Sequence, residues 1–163
     1  MKRITCSKIQ TQKLAKNFAH RIVGHRKSNI GKKAVVVGLS GELGSGKTTF
    51  VQGFAKSLGI KKRVISPTFI IVKKFQIPKS KLQTNFKFQN PNFKTLIHID
   101  TYRISKPGEI LDLGWRDVLA NKENIILVEW AEKIKKIFPK SYVWIKFTHK
   151  SLNQRGIDIQ FVK

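Results

Sequence analysis

The sequence predicts a three-layer α/β sandwich, a mixed β-sheet flanked by helices. Three observations predict it. Short apolar, β-branched runs at 34–39, 95–100 and 125–130 are interspersed with segments whose apolar residues recur at helical spacing. A glycine-rich turn, Gly41 to Thr48, separates the first of these runs from a helical segment. The stretch from Tyr142 to Val162 alternates polar and apolar residues on either side of Asn153-Gln154-Arg155-Gly156, which reads as an antiparallel hairpin and makes the sheet mixed rather than purely parallel.

The elements follow in order. Ile4-Thr5 begins a short strand. Ser7 to Arg26 reads as an amphipathic helix with Leu14, Ala15, Phe18, Ala19 and Ile22 on one face, capped by Ser7 or Thr11. Gly24 and Ser28-Asn29-Ile30-Gly31 mark its end and a turn. Ala34 to Leu39 is a buried strand, and Thr48 to Leu58 a helix with Gly59 as its C-cap. Lys61 to Thr68 connects to a strand over Phe69–Phe75. Residues 78–93 lack an apolar period and read as a flexible loop, in which Phe86, Phe88 and Phe93 interleave with Lys87 and Lys94. Thr95 to Asp100 is a strand. Pro107 to Ala120 fits one or two short helices, with Pro107 in the first turn. Ile125 to Trp130 is a strand carrying an acid at its end, and Ala131 to Phe138 a short helix stopped by Pro139. With no repeat and no linker, the whole of 1–163 is expected to be one domain.

Gly41-Glu42-Leu43-Gly44-Ser45-Gly46-Lys47-Thr48 fits the phosphate-binding pattern G-x-x-x-x-G-K-[ST]. Its glycines let successive backbone N–H groups turn into one concavity, and the following helix adds its positive end. Lys47 is placed to reach outer phosphates and the Thr48 hydroxyl to ligate Mg²⁺. Strand, glycine loop and helix together predict a P-loop NTPase-like sheet holding ATP and Mg²⁺. In such a sheet an acid at the end of a neighbouring strand faces the phosphates. Glu129 is the candidate Mg²⁺ ligand. Asp100 is a second candidate, positioning an attacking water or completing the metal shell. His98 reads as a structural histidine, and Trp130 as either a core anchor or a wall of the nucleotide pocket.

A net charge of +24 draws the chain to polyanions, so an RNA partner and a merely lysine-filled surface both stand as readings. Lysine outnumbers arginine, whereas specific phosphate recognition often favours arginine. The single Cys6 excludes an internal disulfide, and one Cys with four scattered His gives no metal-cluster spacing. No apolar run approaches the roughly 20 residues of a membrane helix, and there is no secretory signal, so a cytoplasmic protein without membrane contact is expected.

Four blocks carry a more specific resemblance. Gly41 to Phe50, Ser66-Pro67-Thr68-Phe69, His98-Ile99-Asp100-Thr101-Tyr102-Arg103 and Glu129-Trp130 occur in the order found in the TsaE (YjeE) family, with Pro107-Gly108-Glu109 and Leu113-Gly114-Trp115-Arg116-Asp117 between the last two. The chain thus resembles the ATPases of bacterial tRNA threonylcarbamoyladenosine synthesis. The resemblance implies slow ATP hydrolysis with Mg²⁺ and docking on a TsaD-like transferase and a TsaB-like subunit. By matching positions, Gly44, Ser45, Gly46, Lys47, Thr48 and Thr49 would hold phosphates, and Thr48 and Glu129 the metal. Asp100 would be the acid most needed for hydrolysis, Trp130 would shape the site, and Thr11 would lie near the adenine. Ser66-Pro67-Thr68 looks like the family's switch-like loop, with Thr68 sensing the outer phosphate. Lys73, where the family often has Glu, and the long 78–93 segment depart from that pattern. A small-molecule kinase on the same scaffold is the alternative.

Overall fold

The computed structural model describes residues 1–24, 33–78 and 93–163. The expected turn at 28–31 and most of the expected loop at 78–93, including Phe86, Lys87 and Phe88, lie outside the described residues.

Among the described residues seven strands make one sheet: β1 (Lys2–Thr5), β2 (Val35–Ser40), β3 (Val72–Gln76), β4 (Thr95–Asp100), β5 (Asn124–Glu129), β6 (Tyr142–His149) and β7 (Arg155–Val162). Their order across the sheet is β1-β7-β6-β2-β5-β4-β3. The centre is parallel, with β2 between β5 and β6 and β4 beside β5. The rim is antiparallel: β3 on β4, the β6–β7 hairpin, and β1 on β7. All six residues of both β2 and β5 are buried, as expected of parallel strands covered on both faces.

The two faces are covered separately. Helices α1 (Lys8–Gly24) and α2 (Lys47–Ser57) pack on one side, with Phe18, Phe50, Phe54, Leu96, Leu127 and Phe147 in a common core. Phe18 meets Phe50 and Phe54 at ring separations of 5.8 and 6.1 Å. The short helices α3 (Gly108–Asp112) and α4 (Trp115–Ala120) and a 3₁₀ helix (Ala131–Ile137) cover the other side, burying Ile110, Trp115 and Ile134 against Ile97, Ile99, Ile126 and Val128. The expected three layers are therefore present, in a mixed sheet.

Local sequence explains most boundaries. Ser7, not Thr11, caps α1: its Oγ accepts the Gln10 N–H at 3.2 Å, and Gln10 Oε1 in turn accepts the Cys6 N–H at 2.7 Å. Gly53 lets α1 and α2 touch, because a Cβ there would come within 2.6 Å of Gln12 Cα. Pro107, with helical φ and ψ of −54° and −26°, opens α3. One boundary differs from the sequence reading. The strand expected over 69–75 begins only at Val72. The Pro67 carbonyl accepts the N–H groups of Ile70 and Ile71, and Ile71 has φ +62°, so residues 67–71 fold into a turn with Phe69 and Ile70 in solvent. Local hydrogen bonding overrides the strand preference of these apolar residues there. No helix among the described residues is long and apolar enough to cross a membrane.

Candidate functional site

The parallel register decides which side chains meet. Asp100 pairs with Glu129 across β4 and β5, at the ends of both strands. Alternation puts Leu127 and Glu129, and likewise Leu96, His98 and Asp100, on the sheet face that α2 covers. The two acids therefore end their strands beside the glycine loop that leads from β2 into α2.

That loop needs its glycines. Gly41, Gly44 and Gly46 all have positive φ, and a Cβ on Gly41 would collide with the Phe147 carbonyl. Lys47, the first residue of α2, folds back over the loop and donates from Nζ to the carbonyls of Gly41 and Glu42 at 2.7 and 2.9 Å. Its ammonium also lies 3.9 Å from the centre of the Trp130 ring. Burial lowers the lysine pKa, opposed by the nearby negative charges of Glu129, Glu132 and Asp100.

Two buried carboxylates face this cation, each held by its own donors. Glu129 Oε2 accepts the Thr48 hydroxyl at 2.8 Å and Oε1 accepts His98 Nε2 at 2.8 Å. His98 is fully buried, and its Nδ1 has no hydrogen-bond partner among the described residues, so the ring spends its one polar contact on Glu129. Asp100 Oδ2 accepts the hydroxyls of Ser66 and of Thr68, the latter at 2.8 Å, while Oδ1 accepts the Tyr102 N–H at 2.9 Å.

These groups line one cleft of about 350 Å³, which holds Gly44, Gly46, Lys47, Thr48, Thr49, Asp100, Glu129 and Trp130 together. Ser66, Thr68 and Tyr102 complete its wall. Three expected site residues do not line this cleft. Gly41 backs onto Phe147. Ser45 is buried within the loop, its Oγ without a partner among the described residues. Thr11 is buried in the first turn of α1, its hydroxyl 2.9 Å from that of Thr5, and does not line the cleft. The contact of His98 with Glu129 was missed because no spacing rule connects them. The available signal was His98-x-Asp100, which puts both residues on one face of the strand.

The donor set suits a nucleoside triphosphate and Mg²⁺. A hydroxyl and a carboxylate are hard oxygen ligands, too few to cage a metal alone but enough beside phosphate oxygens and water. Among the described residues there is no group of three His, Cys, Asp or Glu able to hold a metal ion by itself. The loop also offers an unpartnered buried hydroxyl, Ser45 Oγ, and one cation, Lys47.

Strand, glycine loop and helix, with acids on the adjacent strand ends, define the chain as an α/β protein of the phosphate-loop class. The sequence profile described as Threonylcarbamoyl adenosine biosynthesis protein TsaE matches residues 5–157. The chain belongs to the TsaE family. It is 36% identical over 126 residues to the tRNA threonylcarbamoyladenosine biosynthesis protein TsaE of Bacillus subtilis, covering 77% of this chain and 69% of that one. The Rickettsia typhi protein of the same name is 33% identical over 153 residues, covering 93% and 92%. With the Haemophilus influenzae protein the match is 32% over 118 residues and spans 72% of this chain and 65% of that relative's length. Among solved structures, B. subtilis YdiB superposes with a TM-score of 0.69 at 28% identity, covering all of this chain and 86% of that one.

Proposed function

We propose that this chain is an ATPase that serves tRNA threonylcarbamoyladenosine synthesis as an accessory factor. It binds ATP with Mg²⁺ in the cleft and acts with a TsaD-like transferase and a TsaB-like subunit, in the cytoplasm, as a single P-loop domain. The observation that carries this reading is the meeting of Thr48 with Glu129, and of Asp100 with Ser66 and Thr68, at the mouth of the glycine loop.

The residues take distinct roles. Backbone N–H groups of Gly44 to Thr49 and the Lys47 ammonium hold phosphate oxygens, since Lys47 can exchange loop carbonyls for a charged partner. Thr48 and Glu129 hold Mg²⁺, with His98 fixing the Glu129 carboxylate. Bound Mg²⁺ supplies neutralisation of charge developing on the phosphates. Asp100 orients the attacking water, and Thr68 and Ser66 hold its carboxylate until the outer phosphate offers them another acceptor. Trp130 closes the side of the cleft next to Lys47. Thr11 is assigned to the neighbourhood of the adenine by resemblance alone; its hydroxyl meets that of Thr5 and donates to the Ser7 carbonyl.

The test is turnover of radiolabelled ATP by the purified chain, alone and with TsaD and TsaB proteins. Magnesium-dependent release of free phosphate, lost in Thr48→Ala, is the expected result, together with capture of the chain by the partners in a nucleotide-dependent way. A phosphorylated small molecule in place of free phosphate would identify the kinase alternative instead. No magnesium-dependent nucleotide binding at all would end both readings.

A further inference from the structure

A groove larger than the nucleotide cleft, about 580 Å³, lies between the start of α1 and the far end of α2. Lys8, Lys56, Lys61, Lys62 and Arg63 line it, and no carboxylate among the described residues does. All five are solvent-exposed, and none forms a salt bridge among the described residues. Lys94, which meets Glu123 at 2.8 Å, is the one lysine or arginine paired with an acid among the described residues, so what sets these five apart is their convergence on one concave surface.

Five uncompensated cations around one concave surface repel one another, and folding alone gains nothing by gathering them. Lys56 lies in the last turn of α2 and compensates that end of the helix dipole, which does not explain Lys8 from the opposing helix. The floor is built, not open. Gln52 Nε2 donates to the Val64 carbonyl at 3.0 Å and so fixes the 60–64 segment against α2. The Ile60 N–H donates to the Ala55 carbonyl at 3.2 Å, anchoring the same segment at its start.

We propose that this groove binds the phosphodiester backbone of RNA. Four lysines to one arginine present point charges on flexible stems, suited to a repeating polyanion read by charge rather than by base identity. The choice of RNA over an acidic protein rests on the proposed place of the chain in tRNA modification. The groove itself lies apart from the nucleotide cleft and shares no lining residue with it.

The experiment uses the full chain, a labelled tRNA transcript, and a polyglutamate peptide as competing polyanion, with fluorescence anisotropy followed across a potassium chloride series. The variant Lys61→Glu/Lys62→Glu/Arg63→Glu is compared with Lys122→Glu/Lys136→Glu/Lys140→Glu. The latter makes the same charge change at exposed positions outside the groove. Matched melting curves establish that both are folded. The groove variant should lose about tenfold or more in tRNA affinity and flatten the salt slope by roughly 2 to 3, about one for each phosphate contact removed. The control should lose less than about threefold, because distant surface charges are screened. Equal losses in both variants would show that net charge alone is responsible and overturn the assignment. So would absence of tRNA binding at about 50 mM salt, where backbone contacts are strongest. Polyglutamate binding as tight as tRNA, with the same sensitivity to the groove variant, would assign the surface to an acidic protein. ATP turnover that persists through any of these failures leaves the proposed function standing.

Discussion

Lys47 carries a charge into a place where burial opposes it, which separates its functional role from any structural one. Its native pKa lies below the ordinary 10.5. Such a lysine reduces stability at every pH below its native pKa, and the cost fades as pH rises through that value toward the unfolded one. Lys47→Met is therefore predicted to melt at the same or a higher temperature than the parent at pH 7. The gap should narrow toward about pH 10.5, the ordinary lysine value. Nucleotide affinity should fall at least about tenfold, the loss of one charge-assisted contact. Melting followed by circular dichroism at both pH values, with a fluorescent-nucleotide titration, checks this; a destabilised variant at pH 7 contradicts the burial argument. Asp100 permits the converse separation. Asn keeps the size and can still accept the Tyr102 N–H, but loses the negative charge offered to Ser66 and Thr68. Asp100→Asn should bind ATP within a few-fold of the parent yet turn it over about a hundredfold or more slowly, the usual range for removing a positioned base. A kcat within threefold of the parent removes Asp100 from the reaction.

At the scale of elements, the helix pair α1–α2 depends on close approach at a single residue. Gly53 sits mid-helix, where glycine costs about 1 kcal/mol relative to alanine by propensity. An isolated helix would gain from Gly53→Ala. Here the added Cβ meets Gln12 backbone atoms at 2.6 and 2.7 Å, and backbone cannot give way as a side-chain tip would. Overpacking of this kind costs about 1–3 kcal/mol. Gly53→Ala is thus expected to lower the urea midpoint despite its better propensity, and a raised midpoint would show that the helices separate freely. The same scale shows what the sequence could and could not disclose. β2 and β5 were legible because fully buried parallel strands read as apolar runs, and β4 because Leu96-Ile97 and Ile99 give it strand composition around His98. The glycine loop was legible because its spacing is a chemical requirement. The turn at 67–71 was not, because Phe69-Ile70-Ile71 has strand composition, and only the Pro67 carbonyl, taken by two N–H groups, reveals the reversal. Thr11 is placed near the adenine by resemblance alone, and its hydroxyl lies 2.9 Å from that of Thr5 where β1 meets α1. The link between His98 and Glu129 required the β4–β5 register, which no local pattern contains.

For the whole molecule, the question is whether its two sites act independently. The groove and the nucleotide cleft are walled by one continuous stretch of chain. Lys61, Lys62 and Arg63 line the groove, and Ser66 and Thr68, only a few residues on, hold Asp100 in the cleft. Between them Val64 is buried and its carbonyl is tied to Gln52, so a displacement at Arg63 is passed along the backbone rather than absorbed in a slack loop. Direct electrostatics between the sites is weak beyond the Debye length of about 8 Å at physiological salt. We take coupling to run through this segment rather than along α2, which also reaches both sites through Thr48 and Lys56. We predict that saturating tRNA changes nucleotide affinity by at least about fivefold, the lower end of typical coupling energies. Linkage then requires that nucleotide change tRNA affinity by the same factor. Ser66→Ala/Thr68→Ala should remove the coupling while leaving tRNA affinity in place, because neither hydroxyl lines the groove. Paired titrations, each ligand measured with and without the other, decide the matter. Independent affinities in the parent protein would mean that the shared wall is rigid and that the cleft answers only to its nucleotide.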